Sequence, residues 1–365
     1  MKNLTRSLMI GSLALIAILK TQAAVDDESP LAAQAVPLLY VANAADSSGG
    51  GPGFVSAYDP GSCGSVSPIL TIRGTNTLIS DDQTLAFDTS GDLFVQNFIG
   101  GDAKTLIFPP QANGNVAPIR SFSGNTGDRD NLSIAVDSKG YVIIVRRHGP
   151  FMQVFTPGAS GPVSPLRTVS FDGTPISVAI DDEDNVIVGV NSSTLGNAIE
   201  IFAPQAQGGS PKRIIRGSNT GLRGNDGTVP TVAYSPLNDR IYVGVSTREF
   251  LGGGTSPNPN AHVSVFPSDG NGNIAPVRTI SGTLTGLNGT SIYGLAGNPH
   301  TGDVFVMTNP SPFSAPGSVI VFARLANGNV LPLRSFTDLT TGLGEAFGIA
   351  FSPIRHPDAH PSRHW

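Results

Sequence analysis

Apolar residues in this chain fall in short unbroken runs separated by polar turns, not at the three-to-four spacing of an amphipathic helix. One such run recurs as an apolar residue, Ala, another residue and then a small or acidic one. The copies are Leu85-Ala86-Phe87-Asp88, Ile134-Ala135-Val136-Asp137, Val178-Ala179-Ile180-Asp181, Val232-Ala233-Tyr234-Ser235, Leu295-Ala296-Gly297-Asn298 and Ile349-Ala350-Phe351-Ser352. Five steps span Ala86 to Ala350, about 53 residues each, near the period of a propeller blade. Three further phrases follow most copies. In the first full repeat they are Leu93-Phe94-Val95, then Ile107-Phe108-Pro109, then Pro118-Ile119-Arg120. The pattern predicts four short antiparallel strands per repeat, joined by turns such as Asn113-Gly114-Asn115 and Asn271-Gly272-Asn273.

The ends of the repeat predict a closed ring. Leu39-Tyr40-Val41, Ala57-Tyr58 and Pro68-Ile69-Leu70 supply the last three strands of a first blade that lacks the Ala phrase. Phe347 to Ser352 is an orphan copy of the missing strand. Its return to blade one completes six blades and pairs strands that would otherwise be free edges. The expected fold is therefore all-β: a six-bladed β-propeller of four-stranded antiparallel blades over residues 37–354, closed by the C-terminal strand.

By these phrases the chain resembles NHL-type six-bladed β-propellers of exported proteins. That broad superfamily includes streptogramin lyases, gluconolactonase-type lactonases and peptidyl-amidoglycolate lyases. The resemblance covers residues 37 to 354 and implies fold far more than activity, because one scaffold carries unrelated functions. In the lactonases it implies a divalent metal held in the channel by Glu, Asn and Asp, for which Glu345, Asp81 and Asp130 are the nearest counterparts here. In the lyases it implies His with an acidic or Tyr partner, and no such pair stands at equivalent positions.

Composition narrows the class. The 365 residues are 39% hydrophobic and 13% charged, with 44 Gly and 29 Pro, as expected of many turns around an apolar core. A net charge of −5 without any Lys/Arg run removes the electrostatic footprint of a nucleic-acid binder. Residues 1–24 read as a secretory signal: Lys2 and Arg6, an apolar run from Ser7 to Leu19 too short to span a bilayer, then small residues to Ala24. Residues 25–36 read as a linker and 355–365 as a His/Pro tail holding His356, His360 and His364. Signal cleavage would leave no transmembrane segment, and the compartment expected is periplasmic or extracellular. The single cysteine, Cys63, sits in a Gly/Ser turn and has no partner for an internal disulfide.

Candidate chemistry comes from register. Five residues before each repeated Ala stand Asp81, Asp130, Thr174, Thr228, Ser291 and Glu345, all oxygen-bearing. At the entry to the innermost strands they would ring one mouth of the channel. Such a ring suits a hard cation such as Ca²⁺ or the hydroxyls of a polar ligand, although local backbone capping uses the same residue types. Arg120, Arg167, Arg213, Arg278 and Arg334 recur on the fourth strand, where a repeated structural task is expected, either pairing with carboxylates or covering the neighbouring blade. His148, His262 and His300 fall at different repeat positions. Gly- and Pro-rich insertions at 45–53, 247–260 and 309–317 read as loops, possible decoration of a binding rim. The expected function is an exported, non-catalytic propeller that binds a protein, peptide or glycan at its rim or channel mouth. A metal-dependent hydrolase or lyase and a structural envelope protein are the alternatives.

Overall fold

The computed structural model describes residues 37–43, 53–99, 102–124, 131–146, 151–204, 210–222, 228–247, 260–310, 317–338, 343 and 346–353. They fall within one compact unit, Pro37–Arg355. The proposed signal, linker and tail lie outside them, as do most of the three insertions. Among the described residues no helix is long and apolar enough to cross a membrane.

Six antiparallel sheets form the propeller. The inner strands of blades 2 to 6 are Asp81–Phe87, Asn131–Val136, Thr174–Ile180, Thr228–Ser235 and Thr290–Gly297. Blade 1 takes its inner strand, Ala346–Phe351, from the end of the chain and pairs it with Leu39–Asn43. That closure follows the sequence expectation: Val41 stands opposite Ile349, and Leu38 and Ser352 exchange two hydrogen bonds at 2.9 Å.

Because blades stack face to face around the axis, both faces of each strand are buried. This is why the runs are unbroken rather than alternating. Each of six apolar clusters fills one seam between adjacent blades. The aromatic that ends each third strand anchors them: Tyr58, Phe108, Phe155, Phe202, Phe266 and Phe322 are all essentially inaccessible. Burial of each such ring stabilises the fold by about 1.5–3 kcal/mol. Tyr58 carries the one polar tip in this set, and its hydroxyl donates to Asp338 Oδ2 at 2.6 Å across the closing seam.

The seams are also clasped by polar contacts. Near the axis, Ser133 Oγ accepts from Val178 N at 3.2 Å, and Ser177 Oγ accepts from Val232 N at 2.8 Å while donating to Pro230 O at 3.1 Å. Thr231 Oγ1 donates to Ile292 O at 3.3 Å. These hydroxyls stand two residues before the repeated Ala and satisfy backbone groups on the free edge of the next inner strand.

At the perimeter the Asn-Gly-Asn turn of one blade closes over the outer strand of the blade before it. Asn271 Oδ1 accepts from Ile214 N at 3.0 Å, Gly272 forms a parallel bridge with Ile215, and Asn273 Oδ1 accepts from Asn219 N at 2.8 Å. Asn113 to Asn115 and Asn327 to Asn329 repeat the arrangement. The repeated arginines perform a structural task of related kind, with carbonyl rather than carboxylate partners. Arg213 donates to Ser268 O at 2.7 Å, Arg278 to Arg324 O at 3.1 Å and Arg334 to Pro60 O at 3.1 Å through Nε.

Candidate functional site

Inner strands all run the same way, so they begin on one face of the ring, here the upper face, and end on the lower face. Two cavities lie along the axis. On the lower side is a bowl of about 620 Å³, within the range of about 300–1,000 Å³ found for ligand pockets. A second cavity of about 70 Å³ lies further up. Leu85, Ile134, Val178, Val232, Leu295 and Ile349, the residues before the repeated Ala, line both. This aliphatic ring is a constriction, so the bowl has an apolar floor. The small Ala side chains that follow it, on the bowl side, keep the bowl open.

The rim of the bowl is divided. Blades 2, 3 and 4 end in Asp88, Asp137 and Asp181, with Asp182 and Asp184 just beyond. Blades 5, 6 and 1 instead carry Pro236, Pro299 and Pro353, flanked by Tyr234 and Phe351. Five carboxylates and no cationic side chain appear among the described lining residues. Clefts lined by one sign of charge over apolar walls focus the field toward the opening.

Most of these acids also shape turns. Asp88 Oδ1 accepts from Ser90 N at 3.0 Å and Asp92 N at 2.9 Å. Asp137 and Asp181 do the same two and four residues on, and Asn298 caps the equivalent turn in blade 6. The repeated acid is therefore explained first by turn chemistry. Asp184 bridges blades by accepting from Ser138 N at 2.8 Å and Ser138 Oγ at 2.7 Å.

Burial pushes the Asp137 carboxyl above its ordinary range, and the nearby Asp184 charge adds to that, while amides of Tyr141 and Lys139 oppose it. Tyr234 is shifted up by burial and then by the charges of Asp182 and Asp239, each within 3.2 Å of its hydroxyl. Burial is the first cause of both shifts, with the neighbouring carboxylates adding to it, and Lys139 Nζ stands 3.9 Å from Asp184 Oδ2.

Of the six oxygen-bearing residues singled out in the sequence, Asp130 and Glu345 lie outside the described residues, as does the side chain of Asp81. Asp81, Thr174, Thr228 and Ser291 stand at the starts of their inner strands, on the upper face and away from the bowl. Thr174 is half-buried, whereas Thr228 and Ser291 are buried. Asn197 Nδ2, from blade 4, donates to the Thr228 carbonyl oxygen at 3.1 Å and its hydroxyl at 3.3 Å, a contact across the seam to blade 5. None of these three lines either axial cavity. Among the described residues no three His, Cys, Asp or Glu side chains gather as a metal-holding group.

Of the histidines, His262 is buried on the third strand of blade 5 and His300 occupies a turn, while His148 and the tail histidines lie outside the described residues. The described strand ends that flank the insertions, such as Asn43 and Phe54, stand on the upper face, opposite the bowl. Sequence reasoning missed the divided lower rim, although the switch from Asp-Thr, Asp-Ser and Asp-Asp to Ser-Pro and Asn-Pro after the Ala phrase is legible.

The architecture defines the chain as a six-bladed β-propeller. Its sequence matches no protein family and no curated protein. Among solved structures it is similar to a protein of unknown function from Bacteroides caccae, at 10% identity and a TM-score of 0.51, over 88% of this chain and 100% of that one. It is also similar to a protein from Lactobacillus plantarum, at 12% identity and a TM-score of 0.46, over 87% and 99% of the two chains. A β-propeller domain from Myceliophteria thermophila (Swd1) aligns at 11% identity and a TM-score of 0.45, over 81% and 83%. At such identities the likeness extends to fold alone.

Proposed function

We propose that this protein is an exported, non-catalytic binding propeller whose lower face receives a protein or peptide partner that places a basic group in the axial bowl. The divided rim carries this reading: carboxylates on three blades, Pro and aromatic residues on the other three, above an apolar floor. A ligand with a cationic end and an apolar body matches both halves. A frame surrounds the bowl. Ile69, Ile119, Leu166, Val277 and Leu333, each just before an outer strand, present about half of their surface or more to solvent. Register places them on the same face, since Arg120, next to Ile119, aligns through Ile107 and Phe94 with Ala86. The blade phrases support kinship with NHL-type propellers, and the charged, apolar and small residues of 1–24 support export.

The test is binding of the full mature protein to an immobilised peptide library at low and high salt. Peptides bearing Lys or Arg beside apolar residues should be retained at low salt. Asp137→Asn combined with Asp182→Asn should weaken them by about tenfold, or about 1.4 kcal/mol. Retention without preference for basic residues, or retention unchanged in the double variant, would sink the proposal. N-terminal sequencing of the exported protein should find a start near Val25; an intact Met1 in the exported fraction would count against the signal.

A further inference from the structure

Away from the axis, the upper face holds a further cavity of about 400 Å³, in the seam of blade 5 with blade 4. Its lining includes His262 and Ser264 from the third strand of blade 5 (His262–Pro267), Thr279 and Ser281 from or just beyond its outer strand (Arg278–Ile280), Gly221 after blade 4, and Asn288. Ser264 and Thr279 are cross-strand partners, so their side chains share a face.

Comparison with blade 4 shows what is unusual here. Aligning Phe202 with Phe266 and Arg213 with Arg278 sets Glu200 against Ser264, Ile214 against Thr279, Arg216 against Ser281 and Ala198 against His262. In blade 4 the place is filled by the Glu200–Arg216 ion pair at 3.0 Å. In blade 5 the large pair is replaced by two serines, and the volume is left open. Ser264 is 1% exposed, and its hydroxyl has no hydrogen-bond partner in the protein although it borders the cavity. A buried hydroxyl left unpaired is costly, so a cavity that retains one is built for a polar guest.

We propose that this cavity is a binding site for a neutral, hydroxyl-rich ligand of monosaccharide size. The lining named above carries no charged group: it offers three hydroxyls, a carboxamide and an imidazole. His262 Nδ1 lies 2.8 Å from Asn260 O, which fixes the proton on Nδ1 because a carbonyl only accepts. Hydroxyls and carboxamides both donate and accept, which matches the vicinal hydroxyls of a sugar. Among the described lining residues a charged ligand would find no counter-charge, and an apolar one would leave Ser264 unsatisfied. The site is on the face opposite the bowl and does not depend on what the bowl binds.

Saturation-transfer NMR with glucose, galactose, mannose and N-acetylglucosamine, each against the full chain, tests this. At least one sugar should receive saturation from the native protein, and Asp137→Asn in the bowl should leave that signal unchanged. Ser264→Glu with Ser281→Arg rebuilds the blade 4 pair inside blade 5 and should abolish it while the protein still melts cooperatively. Should that double variant fail to fold, Ser264→Leu fills the same space and should give the same loss. The proposal is overturned by an absence of saturation with all four sugars. It is equally overturned by a signal that survives in a cavity-filled variant whose melting is native-like.

Discussion

Two buried serines with the same chemistry but different surroundings give opposite expectations for one substitution. Ser177 and Ser264 are 5% and 1% exposed. Ser177→Ala removes a hydroxyl that accepts from Val232 N and donates to Pro230 O, two groups on the free edge of the blade 5 inner strand. Both lose a partner in a dry seam, at about 1–3 kcal/mol for a stranded donor and less for a carbonyl with other acceptor capacity. A loss of about 2–3 kcal/mol follows. Ser264→Ala removes a hydroxyl with no partner, so the change should fall within about 0.5 kcal/mol of zero or be mildly stabilising. Equilibrium urea unfolding of each variant, with slopes compared to the native protein, measures both. For a unit of roughly 320 residues unfolding cooperatively, the first change should also lower the melting temperature by about 3–5 °C. If Ser177→Ala costs no more than Ser264→Ala, the hydroxyls two residues before the repeated Ala do not join the inner strands, and the assignment of seam contacts is wrong.

Other expectations follow from the seams and the rim. Gly217 has φ 128°, and a Cβ there would stand 2.5 Å from Asn273 Oδ1, so Gly217→Ala should lower stability by more than about 1 kcal/mol in the same assay; an unchanged urea midpoint would show that the clasp yields. Deleting residues from Ala346 onward strips Leu39–Asn43 of its inner partner and leaves only Phe54–Tyr58 beside it, and circular dichroism should show no cooperative thermal transition; a native-like melt would refute ring closure as a condition of folding. Burial, against the opposing Arg216 charge, raises the Glu200 carboxyl above its ordinary value. Folding then favours the protonated form, so this group's contribution is fully present below the unfolded carboxyl range and lost as pH rises through the raised value. Glu200→Gln should remove that part of the acid-side gain, and superimposable plots of urea midpoint against pH would contradict it.

The blade count, strand order and closure were legible because each repeat carries the same apolar phrases and the N-terminal one visibly lacks a strand. Local cues set them: a fully apolar run for a strand buried on both faces, Asn-Gly for a turn. The inter-blade work of the same residues was not legible in that way. Asn113 and Asn115 read as turn formers, yet their side chains bond a strand and a turn about 40 residues upstream. A long-range partner of this kind follows only once the ring brings successive blades into contact. Arg213, Arg278 and Arg334 signalled a repeated structural role, but not that backbone carbonyls of the next blade would receive them. The site was less legible still. Register drew attention to the strand starts, whereas the bowl is at the strand ends, where acids such as Asp88 look purely like turn residues. The blade 5 cavity arises from what two serines lack compared with Glu200 and Arg216, visible only when blades are superposed.

The closing strand also fixes how this propeller would respond to force. Leu38 and Ser352 are bonded neighbours at one end of the antiparallel pair between Leu39–Asn43 and Ala346–Phe351, and both chain ends leave the ring from that point. Tension applied through the two ends therefore loads the pair in an unzipping direction, one hydrogen bond at a time, instead of shearing all of them together. A ring whose closure secures it against heat and denaturant would thus part under a small pull at its ends. In a pulling experiment its first yield should be the release of Ala346–Phe351.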